Sequence, residues 1–163
     1  MSLTHLHLLL NHLPVIGSVL GVLLLSTALA RRSDKLGKAA LGLFTLLAAA
    51  SVVVFFTGEP AEELVEKLPG FSKVLTERHE DVALIAVVVM GLTGLFCLIT
   101  LAVFRKRPLA RWVTPVALIA SLGAAGIMGY TANLGGQIRH TELRASTAVV
   151  PGGDADEEQA RRH

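Results

Sequence analysis

Charged residues and cysteine are both scarce in this sequence, and each shortage excludes a class of protein. Only 17% of the 163 residues are charged, against about 25% in a soluble domain. The single cysteine cannot form an internal disulfide, which excludes a disulfide scaffold. The 15 basic residues flank apolar segments instead of forming a patch on a soluble surface, which argues against nucleic acid as a partner.

Long apolar windows without any Asp, Glu, Lys or Arg dominate the sequence. They cover residues 13–30, 39–58, 82–104 and 112–138. A membrane-spanning helix needs about 20 mostly apolar residues, and the alternating segments of a β-barrel are missing. Because backbone groups in lipid must bond within their own segment, each window is predicted to be a helix. The lipid bilayer is therefore the first expected partner.

The predicted fold is all-α, with four transmembrane helices in one domain over residues 1–144. Short loops join spans 1 to 2 and 3 to 4, which predicts an up-down-up-down bundle. Residues 145–163 are polar and aperiodic and are predicted to form a periplasmic tail. The predicted spans cover about residues 5–30, 39–58, 82–104 and 112–136.

Loop charges predict the orientation. Loops 31–38 and 105–111 hold four basic residues each, whereas segment 59–81 holds seven acidic and three basic residues. Positive loops face the cytoplasm, so both termini and segment 59–81 are predicted to be periplasmic, in a bacterial inner membrane. Arg31 and Arg32 follow the first span instead of preceding it, so we expect a retained helix and no signal peptide.

Segment 59–81 is predicted to form an amphipathic helical hairpin on the periplasmic surface. Pro60 can open its first helix, and Pro69-Gly70 would separate the two arms. Glycines within the spans are predicted to allow close helix packing. They occur with helical spacing at Gly17 and Gly21, at Gly91 and Gly94 with Cys97, and at Gly123, Gly126 and Gly129.

None of the six histidines lies in a predicted cytoplasmic loop. His12, His79 and His140 each lie one to three residues outside an apolar window, so they are expected at one depth near the periplasmic boundary. His5 and His12 share a helical face, and His7 does not. The alternative is that these are interfacial side chains that reach towards water.

Acidic and basic residues accompany these histidines in the sequence. A helix stop is predicted at Gly135-Gly136, which would turn Arg139 and His140 back towards the bundle. Imidazoles ligate metals and haem, and arginines can pair with haem propionates. The predicted cofactor-binding residues are His12, His79, His140, Arg78 and Arg139, and the predicted metal ligands are His12, His79, His140, Glu59, Glu63 and Glu80.

The motifs HLP (12–14), RHE (78–80) and LGGQIRH (134–140) resemble those of a large, uncharacterised family of bacterial four-helix membrane proteins. The resemblance covers about residues 5–143. Some members are fused to Rieske iron–sulfur domains. The resemblance therefore implies a setting in periplasmic or quinone-linked electron transfer, with a separate redox subunit as partner.

The preferred functional hypothesis is a membrane electron-transfer protein that binds b-type haem through periplasmic histidines. One alternative is a non-haem site for iron, copper or zinc, built from the same histidines and nearby glutamates. Another is a structural or assembly subunit of a larger membrane complex, and the glycine faces also allow a homo-oligomer. No HExxH motif or paired nucleophile and base is present, so a hydrolase is not favoured, and enzymatic activity stays open.

Overall fold

The computed structural model describes residues 3–67, 69–140 and 144, and every regular element in that part of the chain is an α-helix. The predicted tail at 145–163 lies outside the described residues. The helices are α1 (Leu3–Leu10), α2 (His12–Ala30), α3 (Asp34–Phe56), α4 (Glu59–Val65), α5 (Lys73–Val103) and α6 (Val113–Arg139).

Four long segments confirm the prediction of membrane-spanning helices. Each is long and apolar enough to cross a membrane. Most of them extend beyond the charge-free windows, because helical hydrogen bonding continues past the apolar residues until a turn or breaker ends it. The segments are Leu3–Ala30, which joins α1 and α2, then Asp34–Phe56, Lys73–Val103 and Val113–Arg139.

The long helices α2, α3, α5 and α6 pack in a ring. Each contacts the next along the chain, and α2 also packs against α6, whereas α3 and α6 touch only slightly. Leu25, Phe44 and Met90 fill the interior and are fully buried. Apolar side chains on the outside stay exposed, as for Leu46 (69%) and Ile119 (72%). This is the pattern expected where lipid replaces water around the bundle.

Three glycines bring neighbouring helices into close contact. A Cβ atom on Gly17 or Gly21 would collide with the side chain of Leu47 or Phe44 in α3, and one on Gly94 would collide with Ala48. The prediction of close packing is confirmed at these positions. It is wrong at the remaining glycines of the predicted faces, where a Cβ would meet open space, namely Gly91, Gly123, Gly126 and Gly129.

The first span is interrupted at Asn11, between α1 and α2. Pro14 has no N–H to donate to the carbonyl of Leu10, so one helical hydrogen bond is missing. Asn11 itself keeps helical angles (φ −59°, ψ −28°). Its N–H donates to the His7 carbonyl at 2.9 Å. The interruption is therefore local.

The segment between the second and third spans contains one separate helix, α4. Pro60 lies in its first turn, as predicted. The break at Pro69-Gly70 is also confirmed, since Gly70 has the left-handed φ of 81°. The predicted second arm of the hairpin is wrong as a separate element. No breaker occurs between Lys73 and Val82, so this stretch forms the first turns of α5.

The predicted helix stop at Gly135-Gly136 is also wrong. α6 continues through both glycines and ends at Arg139. Glycine in a helix costs about 1 kcal/mol relative to alanine, which is too little to end a helix whose backbone hydrogen bonds continue. Arg139 and His140 therefore end the helix instead of turning back on it.

Residues from the two basic loops meet at one end of the bundle. The backbone N–H of Leu109 donates to Asp34 Oδ1 at 2.6 Å. Lys38 Nζ lies 2.9 Å from Asp34 Oδ2 and donates to the Arg107 carbonyl at 2.8 Å. These bonds join the start of α3 to the loop that precedes α6.

Gly94 and Gly91 form a matched pair for testing the contact between α3 and α5. We expect Gly94→Ala to lower the thermal unfolding midpoint in detergent, because its Cβ would collide with Ala48. Overpacking of this kind costs about 1–3 kcal/mol. Gly91→Ala has open space and should not lower the midpoint. Equal destabilisation by both substitutions would contradict the close approach of the two helices.

Candidate functional site

Polar side chains from several helices meet at the end of the bundle away from the basic loops. His7 in α1 and His79 in α5 are the central members, and both are half-buried. His7 contacts Val54, which lies 20 residues along α3 from Asp34, or about 30 Å. Thr4 Oγ1 donates to the Pro60 carbonyl at 3.1 Å and so joins α1 to α4 at the same end.

His7 is held against the last turn of α3. Its Nδ1 lies 3.0 Å from the Val54 carbonyl oxygen and 3.4 Å from Thr57 Oγ1. Gly58 borders the ring, since a Cβ there would lie 3.6 Å from His7 Cε1. The end of α3 therefore fixes the position of this imidazole.

His79 is held against α6 in the same way. Its Nδ1 lies 3.1 Å from the carbonyl oxygen of Thr131. Gly135, one turn further along α6, makes room for the ring, because a Cβ there would lie only 3.2 Å from His79 Cε1. The first glycine of the predicted helix stop thus has a packing role against this imidazole.

The two contacts with carbonyl groups define the tautomer of each ring. A carbonyl oxygen only accepts hydrogen bonds, so the Nδ1 of His7 and of His79 must carry the proton. In the neutral imidazole, Nε2 then keeps its lone pair and is able to bind a metal. The two rings are electrostatic neighbours. The arrangement supplies two oriented imidazoles from different helices.

Two carboxyl groups lie beside His79. The hydrogen bond between Glu62 and Glu80, together with partial burial, raises the pKa of Glu62 to about 7. A hydrogen bond between two carboxyl groups requires a proton on one of them. The pair therefore holds a proton up to about neutral pH, although the charge of the nearby His79 acts in the opposite direction and lowers the pKa of Glu62.

Arg78 is fixed to α6 on the outside of this cluster. Its Nη2 donates to the Tyr130 hydroxyl at 2.6 Å, and the guanidinium carbon lies 5.9 Å from the centre of the tyrosine ring. No sequence pattern predicts this pair, because the two residues are 52 positions apart.

The remaining predicted residues lie at the surface. His12 is exposed on the outer side of the first span, where it lines a cavity together with His5. Their predicted common face is thus confirmed. The other exposed members are Arg139 and His140 at the end of α6 and Glu59 and Glu63 in α4.

The predicted metal ligands are not assembled into one site. Among residues 3–67, 69–140 and 144, no three His, Cys, Asp or Glu side chains are grouped so that they could hold an ion. His12 and His140 are exposed, whereas His79 is half-buried against α6. Glu80 hydrogen-bonds to Glu62.

Sequence reasoning did not select His7 or Glu62 as site residues. A pattern that could have identified His7 is present in the first span, where buried residues recur every seven positions. His7 is followed at that spacing by Pro14, Gly21 and Ala28, which are all buried. Residues seven apart lie nearly on the same helical face, so His7 belongs to the inward face. The exposed series that starts at His5 continues through His12, Val19 and Ser26.

Comparisons with known proteins give no relative: no family model matches the chain, and neither a curated protein nor a solved structure is detectably similar to it. The resemblance to the four-helix family stays a prediction.

The carboxyl pair predicts a pH dependence of stability. The pKa of Glu62 is about 7 in the folded protein against an ordinary 4.5. The unfolded chain therefore releases a proton that the folded protein keeps, and stability should fall as the pH rises through this window. Glu62→Gln cannot ionise, so its thermal midpoint should depend less on pH and exceed that of the wild type above pH 7.

Glu63→Gln is the matched control, because it removes the same charge from an exposed position of the same helix. Its midpoint should follow the wild-type pH curve. Parallel curves for Glu62→Gln and the wild type would refute the shared proton.

Proposed function

We propose that the protein transfers electrons in the bacterial inner membrane through a b-type haem held by His7 and His79. One observation carries this proposal. Both imidazoles have their Nδ1 proton bound by a backbone carbonyl, at 3.0 Å from Val54 and 3.1 Å from Thr131. Such contacts orient metal-binding histidines and raise the basicity of the other ring nitrogen.

The proposed topology is up-down-up-down, with the haem end in the periplasm. The contacts of Asp34 with Leu109 and of His7 with Val54 involve opposite ends of α3. The first contact joins the two basic loops, which the positive-inside rule assigns to the cytoplasm. Both termini and α4 are then periplasmic.

The residues around the two rings fit a haem in several respects. The imidazoles come from different helices and are half-buried, as in other helix bundles that hold cofactors. Arg78, next to His79 and fixed by Tyr130, is available to pair with a propionate, as is Arg139 at the end of α6. When bound, the haem would supply one-electron chemistry at its iron.

The protein's own contribution is to hold the rings. The Val54 and Thr131 carbonyls place a proton on each Nδ1, so that in the neutral imidazole each Nε2 carries the lone pair. Gly135 keeps the space that the His79 ring occupies. His12, which was predicted as a ligand, makes no such carbonyl contact within residues 3–67, 69–140 and 144.

The other hypotheses have less support. A non-haem iron, copper or zinc site is not favoured, because the Glu62 and Glu80 carboxyls bond to each other and a protonated carboxyl is a poor metal ligand. A role as a subunit of a larger complex is compatible with haem binding. A redox partner in the same membrane belongs to the proposal.

Absorption spectroscopy tests the haem directly. Wild-type protein purified after haem-replete expression should show a Soret band, and His7→Ala and His79→Ala should each lose most of it, because each removes one of the two imidazoles that would hold the haem. His140→Ala is the control for an exposed histidine and should keep the band. A wild-type protein without a Soret band would refute the proposal.

The glycines of α6 provide a second, matched test. Gly135→Ala should displace the His79 ring, since the new Cβ would lie 3.2 Å from Cε1. Haem content should fall severalfold. Gly136→Ala meets open space and should retain the wild-type content. Equal haem content in both variants would contradict a role for His79 as a ligand in the position described.

A further inference from the structure

The end of the bundle away from the proposed haem site carries a dense group of cations. Residues 31–38 and 105–111 form this surface, the basic end. Asp34 is the only acidic residue within residues 13–58 and 82–138, which include both loops. Seven basic side chains of the basic end are exposed, namely Arg31, Arg32, Lys35, Arg105, Lys106, Arg107 and Arg111.

Asp34 does not neutralise these exposed cations, because its carboxylate is bonded elsewhere. Its Oδ1 accepts from the Leu109 N–H at 2.6 Å, and its Oδ2 lies 2.9 Å from Lys38 Nζ. Lys38 also donates to the Arg107 carbonyl at 2.8 Å, so the two loops form one surface. None of the seven exposed cations forms an ion pair within residues 3–67, 69–140 and 144. Their charge is therefore not compensated in this part of the protein.

The basic end is also amphipathic. α2 ends at Ala30 and α3 begins at Asp34, so the connection is too short to carry its arginines far from the spans. The headgroup layer of a bilayer adds only about 5–8 Å on each side of the hydrocarbon core. Large apolar side chains are exposed on the spans beside the cations, at Leu29, Val103 and Trp112.

We propose that the basic end binds an anionic phospholipid, with its phosphate at the junction of the two loops and its acyl chains along the apolar side chains beside them. Guanidinium and ammonium groups form charge-assisted hydrogen bonds with phosphate oxygens. Clusters of about four to eight basic residues directly beside a spanning helix are typical of such lipid recognition. A free phosphate ion or an acidic peptide would use the cations alone, whereas a lipid also contacts Leu29, Val103 and Trp112.

Arg32 allows lipid binding to be separated from folding. Its φ of 50° lies in the left-handed region, which favours glycine. Arg32 occupies the glycine position of a helix-ending motif, in which its N–H donates to Leu29 and the Ser33 N–H donates to the Ala28 carbonyl at 2.9 Å. Arg32→Gly should therefore not lower the thermal unfolding midpoint, although it removes one cation.

Fluorescence quenching tests the proposal, because Trp112 is the single tryptophan of the chain and is 56% exposed at the basic end. The full-length protein is reconstituted in phosphatidylcholine vesicles with an increasing fraction of brominated phosphatidylglycerol. Brominated phosphatidylcholine is the reference quencher. The wild type should bind phosphatidylglycerol severalfold more tightly than phosphatidylcholine, and the preference should weaken as the salt concentration rises.

Arg32→Gly and Lys35→Gln should each reduce this preference about fivefold, the factor expected for one basic residue near the membrane surface. Lys35 lies in the first turn of α3, where a cation opposes the helix dipole, so its loss should not destabilise the helix. Lys67→Gln is the matched control, because Lys67 is an exposed cation near α4 at the other end of the bundle. It should keep the wild-type preference.

Three results would overturn the proposal. Equal quenching by the two brominated lipids would show that the wild type has no anionic preference. Equal effects of Lys35→Gln and Lys67→Gln would show that the basic end is not the binding surface. Loss of the preference in inorganic phosphate, but not in chloride of the same ionic strength, would assign the surface to free anions. The Soret band of the same variants reports on the haem site at the opposite end, so failure of one site is distinguishable from failure of the other.

Discussion

The structure depends on one constraint, which is that a backbone in hydrocarbon has no water to bond with. Each apolar window must therefore satisfy its own N–H and C=O groups, and a helix does so. Because lipid is as apolar as the side chains, burial of leucine alone does not hold such helices together. Close contacts do, as where Gly94 meets Ala48 and Gly21 meets Phe44.

The same constraint explains where the polar cluster lies. Polar side chains are tolerated at the ends of the spans and costly at their centre. His7 and His79 lie near such ends, and backbone carbonyls of neighbouring helices accept their Nδ1 protons. The carbonyls at Val54 and Thr131 thus join α1 to α3 and α5 to α6, while they also define the tautomers on which the proposed function rests.

The first span has two faces that serve different surroundings. Its inward face carries His7, Pro14 and Gly21 towards the neighbouring helices, and its outward face carries His5 and His12 towards lipid. His12 lies five positions after His7, which turns the second imidazole well away from the first around the helix. The first span therefore presents one imidazole to the neighbouring helices and two to its outer surface.

The four membrane-spanning segments follow from the sequence, because charge-free windows of this length have one stable form in lipid. The break at Pro69-Gly70 is equally local in origin.

The site was only partly predictable. His79 was found from its depth. His7, Glu62 and the pairing of Arg78 with Tyr130 depend instead on contacts between residues distant in the sequence, or on the rotation of a helix about its axis. Gly135 shows the limit most clearly: local propensity predicts a helix end there, but the His79 ring packs against it from another helix. The position of a residue along its apolar window determines its depth in the membrane. The direction in which its side chain faces is determined by the helices packed around it.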